Sequence, residues 1–557
     1  MIKLKLISAI ADDLGVSREY LHSYGNYKAK IALDALHDTK IERKRSKLIL
    51  VTSITPTPNG EGKTVTAIGL SSAINRLGHS SVVCTRQPSL GPLFGIKGGA
   101  AGGGRATVEP MQEINMRFTG DIDAVASAHN LLSAMTDNHI YHGNELNIDP
   151  HTVTWKRTVD MNDRALRHVV VGLDGKRSLQ RDESFVITAA SEVMEILSLA
   201  RDYADLKARL GEILVGFDSK GSPVRARDLK ASGAMSAILR DAMEPNLVQT
   251  QDETPALVHC GPFGNIATGT SSLVSIALGT SLSDYCVVEA GFGSDLGAEK
   301  FIDIIAPLGQ LVVDAAVIVV SVKALKYHGS QKSESPEIRG YVDQILASLS
   351  ERDLMSAGIA NMQKHIENVR SLGIEPVVAI NRFSTDTDEE IKAVIQACKE
   401  LGVAYAVSDV FNKGAEGGLE LAQRVIEASE GHHINRPVYE LVDTIEEKIE
   451  KVVKRVYGGE KVIYESSAMY DLLRANELGL AHSPVCIAKT ALSLSDDPKK
   501  LGRPQSFSVT VSQIGVSAGA GFSVPYMGDI MTMPGLPKHP AAEKMHVTDQ
   551  GEIVGIF

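Results

Sequence analysis

The residues with the plainest chemical use are Thr57-Pro58-Asn59-Gly60-Glu61-Gly62-Lys63-Thr64. Glycines let a backbone aim several N–H groups at one anion. A lysine can reach the outer phosphates of a nucleotide, and a threonine hydroxyl can ligate Mg²⁺. The pattern G-x-x-x-x-G-K-[ST] begins with glycine, where this chain has Thr57; that change touches a backbone constraint and removes no phosphate ligand. Pro56 and Pro58 stiffen the entry. The alternative reading is an ordinary turn between a strand and a helix.

Arg86 closes the next apolar run, 80–86. A guanidinium fork there could hold an acyl phosphate or a phosphoryl group in transfer, against the ordinary reading of a surface arginine paired with a carboxylate. Directly after it, five glycines fall within the eight residues 97–104. Such a segment suits close approach of backbone to a ligand, and it reads as a second anion-cradling loop with Lys97 as a contributor.

These residues need a scaffold, and the runs at 47–54, 80–86, 168–173, 255–260, 311–322 and 375–381 read as its strands. They are apolar without alternation, as expected of parallel strands covered on both faces. Helical patterns lie between them, among them 191–210 and 387–401, the latter closed by Gly402. The predicted fold class is α/β: a P-loop-type doubly wound, mostly parallel sheet with smaller α/β units appended. A right-handed crossover from the loop helix would bring Arg86 to the same sheet edge as Lys63, the edge where open α/β sheets bind ligands. Boundaries near 330–337 and 430–437 divide the chain into a large nucleotide-binding unit (1–350), a smaller α/β unit (351–437) and a C-terminal α/β unit (438–557).

Composition limits the partners. The 57 basic and 68 acidic residues leave a net charge of -11, which offers nothing to attract nucleic acid or an anionic membrane. The longest apolar run, 311–322, is twelve residues with Asp314 inside it, too short to span a bilayer. The N-terminal residues read as a surface helix without a cleavage site. Five cysteines without any Cys-x-x-Cys spacing fit a reducing cytoplasm and no thiolate zinc site.

Three further features invite a function and have plainer readings. His129, His139 and His142 with Asp137 lack a convincing ligand set, so helix-face or capping roles are preferred. Gly519-Ala520-Gly521 is too short to mark a dinucleotide site. Asp314 reads equally well as a buried, hydrogen-bonded aspartate.

The strings PTPNGEGKT (56–64), RQPSLGPLFGIKGGAAGGG (86–104), FTGD (118–121), AHNLLSAMTDNH (128–139), DMNDRALR (160–167), EAGFGSDLGAEKF (289–301), VAINRF (378–383) and MTMPGLPKHPAA (531–542) occur in this order. Together they resemble the formate–tetrahydrofolate ligase family over essentially the whole chain. The resemblance implies ATP- and Mg²⁺-dependent ligation of formate to tetrahydrofolate, giving 10-formyltetrahydrofolate, ADP and phosphate through formyl phosphate. It implies that residues 57–64 hold the nucleotide, with Lys63 on the phosphates and Thr64 on the metal, and that Arg86 meets formyl phosphate. It further implies that Asp121 lies near the reacting groups, although a helix cap or turn former is an equal reading of that residue. Phe383 and Phe411 would line the pterin pocket, supplied by the smaller unit, with Phe292 nearby. A homotetramer and activation by a monovalent cation are family traits carried with the resemblance.

The chain also departs from the family's strings. Gln87 replaces a glutamate, Arg105 and Thr107 replace Tyr and Gln, and Thr268 replaces a histidine. Ile305 and Pro307 replace Lys and Arg, Phe411 a tryptophan, and Ala491-Leu492 a Gln-Tyr pair. The alternatives are therefore a paralogue with another folate or carboxylate specificity, or one working in reverse to make ATP. In a different class, a P-loop ATPase switching a partner protein shares the loop.

Overall fold

The computed structural model describes residues 4–39, 44–58, 60–95, 99–173, 180–330, 351–528 and 530–556. Asn59, Lys97 and the expected boundary beyond Ser330 lie outside the described residues.

The framework is a 12-stranded sheet. In chain order its strands are β1 (Leu21–Ser23), β2 (Ala29–Ile31), β3 (Lys47–Ser53), β4 (Ser81–Thr85), β5 (Gly102–Gly103), β6 (Ala106–Glu109), β7 (Asn246–Thr250), β8 (Pro255–Val258), β9 (Tyr285–Glu289), β10 (Val313–Val320), β11 (Glu375–Asn381) and β12 (Ala404–Ser408). Their spatial order is β1-β2-β7-β8-β4-β9-β3-β10-β11-β12, with the β5–β6 hairpin joined through β6 to β7. From β8 to β12 every neighbouring pair is parallel. Antiparallel pairs complete the other side.

Burial on both faces accounts for the unbroken apolar runs. Alternate residues of β3 enter different cores: Leu48 and Leu50 join one, Ile49 and Val51 the other. The helices that matter to the site are α1 (Lys63–Arg76), α2 (Asp121–Tyr141), α3 (Leu273–Leu282), α4 (Glu351–Ser371) and α5 (Leu419–Ser429). Ala67, Ile68 and Leu70 of α1 and Leu421 and Val425 of α5 pack with Ile49 and Val51. On the opposite face Leu273 and Ile276 of α3 and Met362 and Ile366 of α4 pack with Leu48 and Leu50.

The strand after the loop helix, β4, runs parallel to β3 as expected, with β9 lying between them and paired in parallel with both. Two expectations need correction. The apolar run at 168–173 is no core strand, since Val169–Val171 forms a partly exposed antiparallel pair with Arg181–Glu183. The pattern at 191–210 is two helices, Glu192–Leu199 and Tyr203–Glu212, because Asp202 turns its side chain to the Asp205 N–H and starts a new helix. By contrast, the helix at 387–401 forms as expected over Asp388–Glu400, opened by a Thr387–Glu390 capping box.

The segment 351–437 supplies β11 and β12 to the same large sheet. Beyond it Lys461–Tyr464, Ser508–Ser517 and Phe522–Met527 form a separate three-stranded sheet. Among the described residues no helix is long and apolar enough to cross a membrane. All five cysteines are free and buried.

Candidate active site

The loop from β3 to α1 gets its shape from two glycines and one buried acid. Gly60 and Gly62 take the left-handed conformation (φ 78 and 79), and Thr57 is not among the positive-φ residues, so the absent first glycine costs nothing here. The Glu61 carboxylate accepts the Thr57 N–H at 2.7 Å and takes the Ser321 hydroxyl on its other oxygen. Thr57 O in turn receives the Gly60 N–H at 3.0 Å. From β11, Asn381 donates to Glu61 O at 2.9 Å and would lie 2.5 Å from a β-carbon on Gly62. The Glu61 carboxylate is thus an internal strut of the loop.

Lys63 opens α1 and donates to Ser53 Oγ at 3.3 Å. The next residue reveals a group that sequence reasoning passed over. Thr64 Oγ1 donates to Glu289 Oε2 at 2.8 Å, and Glu289 Oε1 lies 3.8 Å from Arg86 Nη2. Arg86 also donates to Pro262 O at 3.1 Å, so its fork is held from two sides with a quarter of its side chain still exposed. The cause is topological: β9, ending in Glu289, sits between the strands that deliver Thr64 and Arg86 to one edge. The available signal was an acid at the end of the short apolar run Tyr285-Cys286-Val287-Val288.

Oxygen donors suit a small hard cation, and the Thr64 hydroxyl beside an almost fully buried carboxylate fits Mg²⁺ brought with a nucleotide. No cluster of three or more His, Cys, Asp or Glu able to hold a metal alone occurs among the described residues.

Phe383 and Phe411 follow the ends of the adjacent strands β11 and β12, where Asn381 pairs with Ser408. They are 40% and 50% exposed, so their rings are available for stacking. Phe411 lies beside the loop helix, because a β-carbon on Gly69 of α1 would strike its neighbour Val410. The glycine-rich segment serves the same place: a β-carbon on Gly104 would run into the Phe411 carbonyl, and one on Gly103 would lie 3.2 Å from the Phe411 ring. Arg105 N–H binds Phe411 O at 2.8 Å. Three of the five glycines thus allow close backbone packing around Phe411 and Ala106. Phe292, at φ 59, receives the Ser53 hydroxyl on its carbonyl at 3.1 Å and contacts Gly264.

Asp121 is placed differently from Lys63 and Arg86. It begins α2, buried, with Lys30 Nζ on Oδ1 at 2.8 Å and Asn246 Nδ2 on Oδ2 at 2.7 Å. The plainer readings hold for the other candidates. His129 bridges Ser191 and Lys156 O, His139 accepts the Leu146 N–H, and Asp137 pairs with Arg157 and Arg181. Asp314 is held by Lys47 and the Leu48 N–H. The Gly519 N–H donates to Glu192 in a packed turn.

Two family departures leave buried polar atoms unpartnered among the described residues: Gln87 Oε1 and Thr268 Oγ1. Glu195 faces Thr268, accepting its N–H at 3.4 Å while its own Oε1 has no partner. Burial pushes the Glu195 carboxyl up to about 7.

A helix whose N-terminus carries Lys63 and Thr64, set at the carboxyl edge of a parallel sheet beside an acid and an arginine, places the molecule among P-loop-type α/β proteins. Within that class the chain belongs to the formate–tetrahydrofolate ligase family, whose model matches residues 1–557. The formate–tetrahydrofolate ligase of Caldicellulosiruptor saccharolyticus is 53% identical over 557 residues, covering 100% of this chain and 98% of the relative. That of Thermoplasma volcanium is 49% identical over 553 residues, covering 99% of each. A full-length match at this level leaves the ATPase switch and the paralogue of altered specificity without support.

Proposed function

We propose that this chain joins formate to tetrahydrofolate at the expense of ATP, with the Thr64–Glu289–Arg86 group as the phosphoryl-transfer edge. The observation that carries the reading is Glu289, which ties the loop's hydroxyl to the arginine one strand away. A formate oxygen attacks the γ-phosphorus of ATP, the bond to the bridging oxygen breaks, and ADP leaves with formyl phosphate formed. N10 of tetrahydrofolate then attacks the formyl carbon, phosphate departs and N10 loses its proton. The protein's part is positioning and charge neutralisation more than covalent chemistry. The N–H groups of Glu61, Gly62, Lys63 and Thr64, where the loop turns into α1, and the Lys63 ammonium hold the phosphates, while the Thr57 and Gly60 N–H groups keep the loop's own shape. Arg86 spans the acyl phosphate and disperses the charge that builds on its oxygens. Thr64 and Glu289 would hold Mg²⁺, which neutralises phosphate charge when bound.

Phe383 and Phe411 stack on the pterin in this reading, with Phe292 facing the folate side. Asp121, engaged by Lys30 and Asn246 at the start of α2, orients a substrate from there in this reading. The three-unit division, a homotetramer, a cytoplasmic location and a monovalent-cation requirement belong to the same proposal, supported by the family likeness. The experiment is an omission assay: ATP, Mg²⁺, formate and tetrahydrofolate, each withheld in turn, with 10-formyltetrahydrofolate measured. Product only in the complete mixture is expected; ATP turnover indifferent to folate would overturn the reading.

A further inference from the structure

His365, on α4, has no place in the chemistry above, yet it is fully buried against the nucleotide loop. Its Nε2 accepts the Thr55 N–H at 2.8 Å and lies 2.9 Å from Thr55 Oγ1. A nitrogen that accepts carries no proton, so the ring proton sits on Nδ1, where it is donated to Ser294 Oγ at 2.7 Å. One turn earlier on α4, Asn361 accepts the same Thr55 N–H at 3.3 Å and donates to Thr55 Oγ1 at 2.9 Å. His328 donates to Thr55 O at 2.7 Å. All three polar atoms of Thr55, two residues before Thr57, are therefore fixed from outside the loop.

The other end of the imidazole leads elsewhere. Ser294 stands two residues after Phe292, which keeps a left-handed φ of 59 and binds Ser53 at the end of the loop's own strand. A non-glycine residue in that conformation stores strain that its surroundings must hold. One side chain thus joins the entry of the nucleotide loop to the strained segment on the folate side.

We propose that His365 is a positioning residue that couples the two half-sites, so that occupation of the nucleotide loop alters tetrahydrofolate affinity through Thr55, His365 and Ser294. This rests on the reading that residues 57–64 hold ATP and that Phe292 faces folate. The test is the affinity for a non-hydrolysable ATP analogue, by calorimetry on the full chain, without and with saturating tetrahydrofolate. The wild-type ratio of the two affinities is expected to depart from one by about fivefold or more. Ser294→Ala cuts the link on one side, and His365→Gln keeps an acceptor near the Nε2 position while losing the donor to Ser294. Both variants are expected to bind the analogue alone within about twofold of wild type and to bring the ratio to near one. His365→Asn, which keeps the donor and loses the acceptor, weakens binding of the analogue alone. A ratio of one in wild type, or an unchanged ratio in Ser294→Ala and His365→Gln, overturns the coupling. A merely structural histidine would lower the melting temperature without moving the ratio. Analogue binding lost in Lys63→Ala supports the loop assignment by itself; binding kept there sinks that assignment and not the coupling measurement.

Discussion

The carboxylate of Glu289 accepts the hydroxyl of Thr64 at 2.8 Å, although 225 positions separate them in the chain. Because β9 lies between β3 and β4, this contact puts one acid between the nucleotide loop and Arg86. Glu289→Gln keeps the shape and removes the charge. Its expected effect is a fall in kcat of about 10²–10³, the scale of losing one preorganised electrostatic contact, with ATP affinity changed far less. Steady-state kinetics together with equilibrium ATP binding check this, and near-normal kcat would contradict it.

Lys63 and Arg86 differ in what they touch, so their variants should separate. Lys63→Ala is expected to abolish nucleotide-dependent turnover and ATP binding together. Arg86→Ala is expected to keep ATP binding within a few-fold and lose formyl transfer by about 10²–10³. Binding and rate are measured on the same preparations.

Phe411 and Phe383 are half exposed, so truncation removes little from the core and much from a stacking surface. Phe411→Ala is expected to raise the KM for tetrahydrofolate about 3–10-fold, the worth of one aromatic contact, while the KM for ATP stays put. The melting temperature should move little. Gly104→Ala reaches the same pocket by another route, pushing into the Phe411 carbonyl from a left-handed position (φ 60). It should raise the same KM and also lower stability.

Glu195 makes a pH-dependent prediction. Its folded carboxyl titrates at about 7 against an ordinary value of 4.5, because burial disfavours the charge. The folded state then holds the extra proton between those values, so this group's contribution to stability falls as pH rises from 4.5 to 7. Glu195→Gln removes that loss. Its stability relative to wild type should rise across this window and level off above pH 7, by on the order of 2–3 kcal/mol. Denaturant unfolding at pH 4.5, 6 and 7.5 reads this out, and a pH-independent difference would contradict it.

Much of this was legible from local pattern, and the misses have identifiable causes. The Gly60–Thr64 loop, its strand and α1 follow from short-range signals: an apolar run, two glycines and helical spacing. The wider neighbourhood does not. The sheet order interposes β9, whose residues follow β4 by some two hundred positions, and nothing local announces that insertion. Tyr285–Glu289 is too short and too mixed to stand out after α3, so Glu289 went unassigned. The glycine-rich run showed that something approaches the backbone closely, but not that the something is Phe411, three hundred residues on. Asp121 was placed by likeness, and its Lys30 partner comes from the short strand β2, which no pattern joined to it. The loop's Thr57 needed the structure as well: only the Glu61 strut and the φ values show why no glycine is required there.

The central claim is that formate is activated by phosphorylation at the Lys63–Arg86 edge before it meets folate. Formate labelled with ¹⁸O at both oxygens, supplied with unlabelled ATP and tetrahydrofolate, tests it by mass spectrometry of the released phosphate. Formyl phosphate as the intermediate predicts one ¹⁸O in each phosphate released during net synthesis and none in ADP. Unlabelled phosphate alongside normal yields of 10-formyltetrahydrofolate would contradict the account.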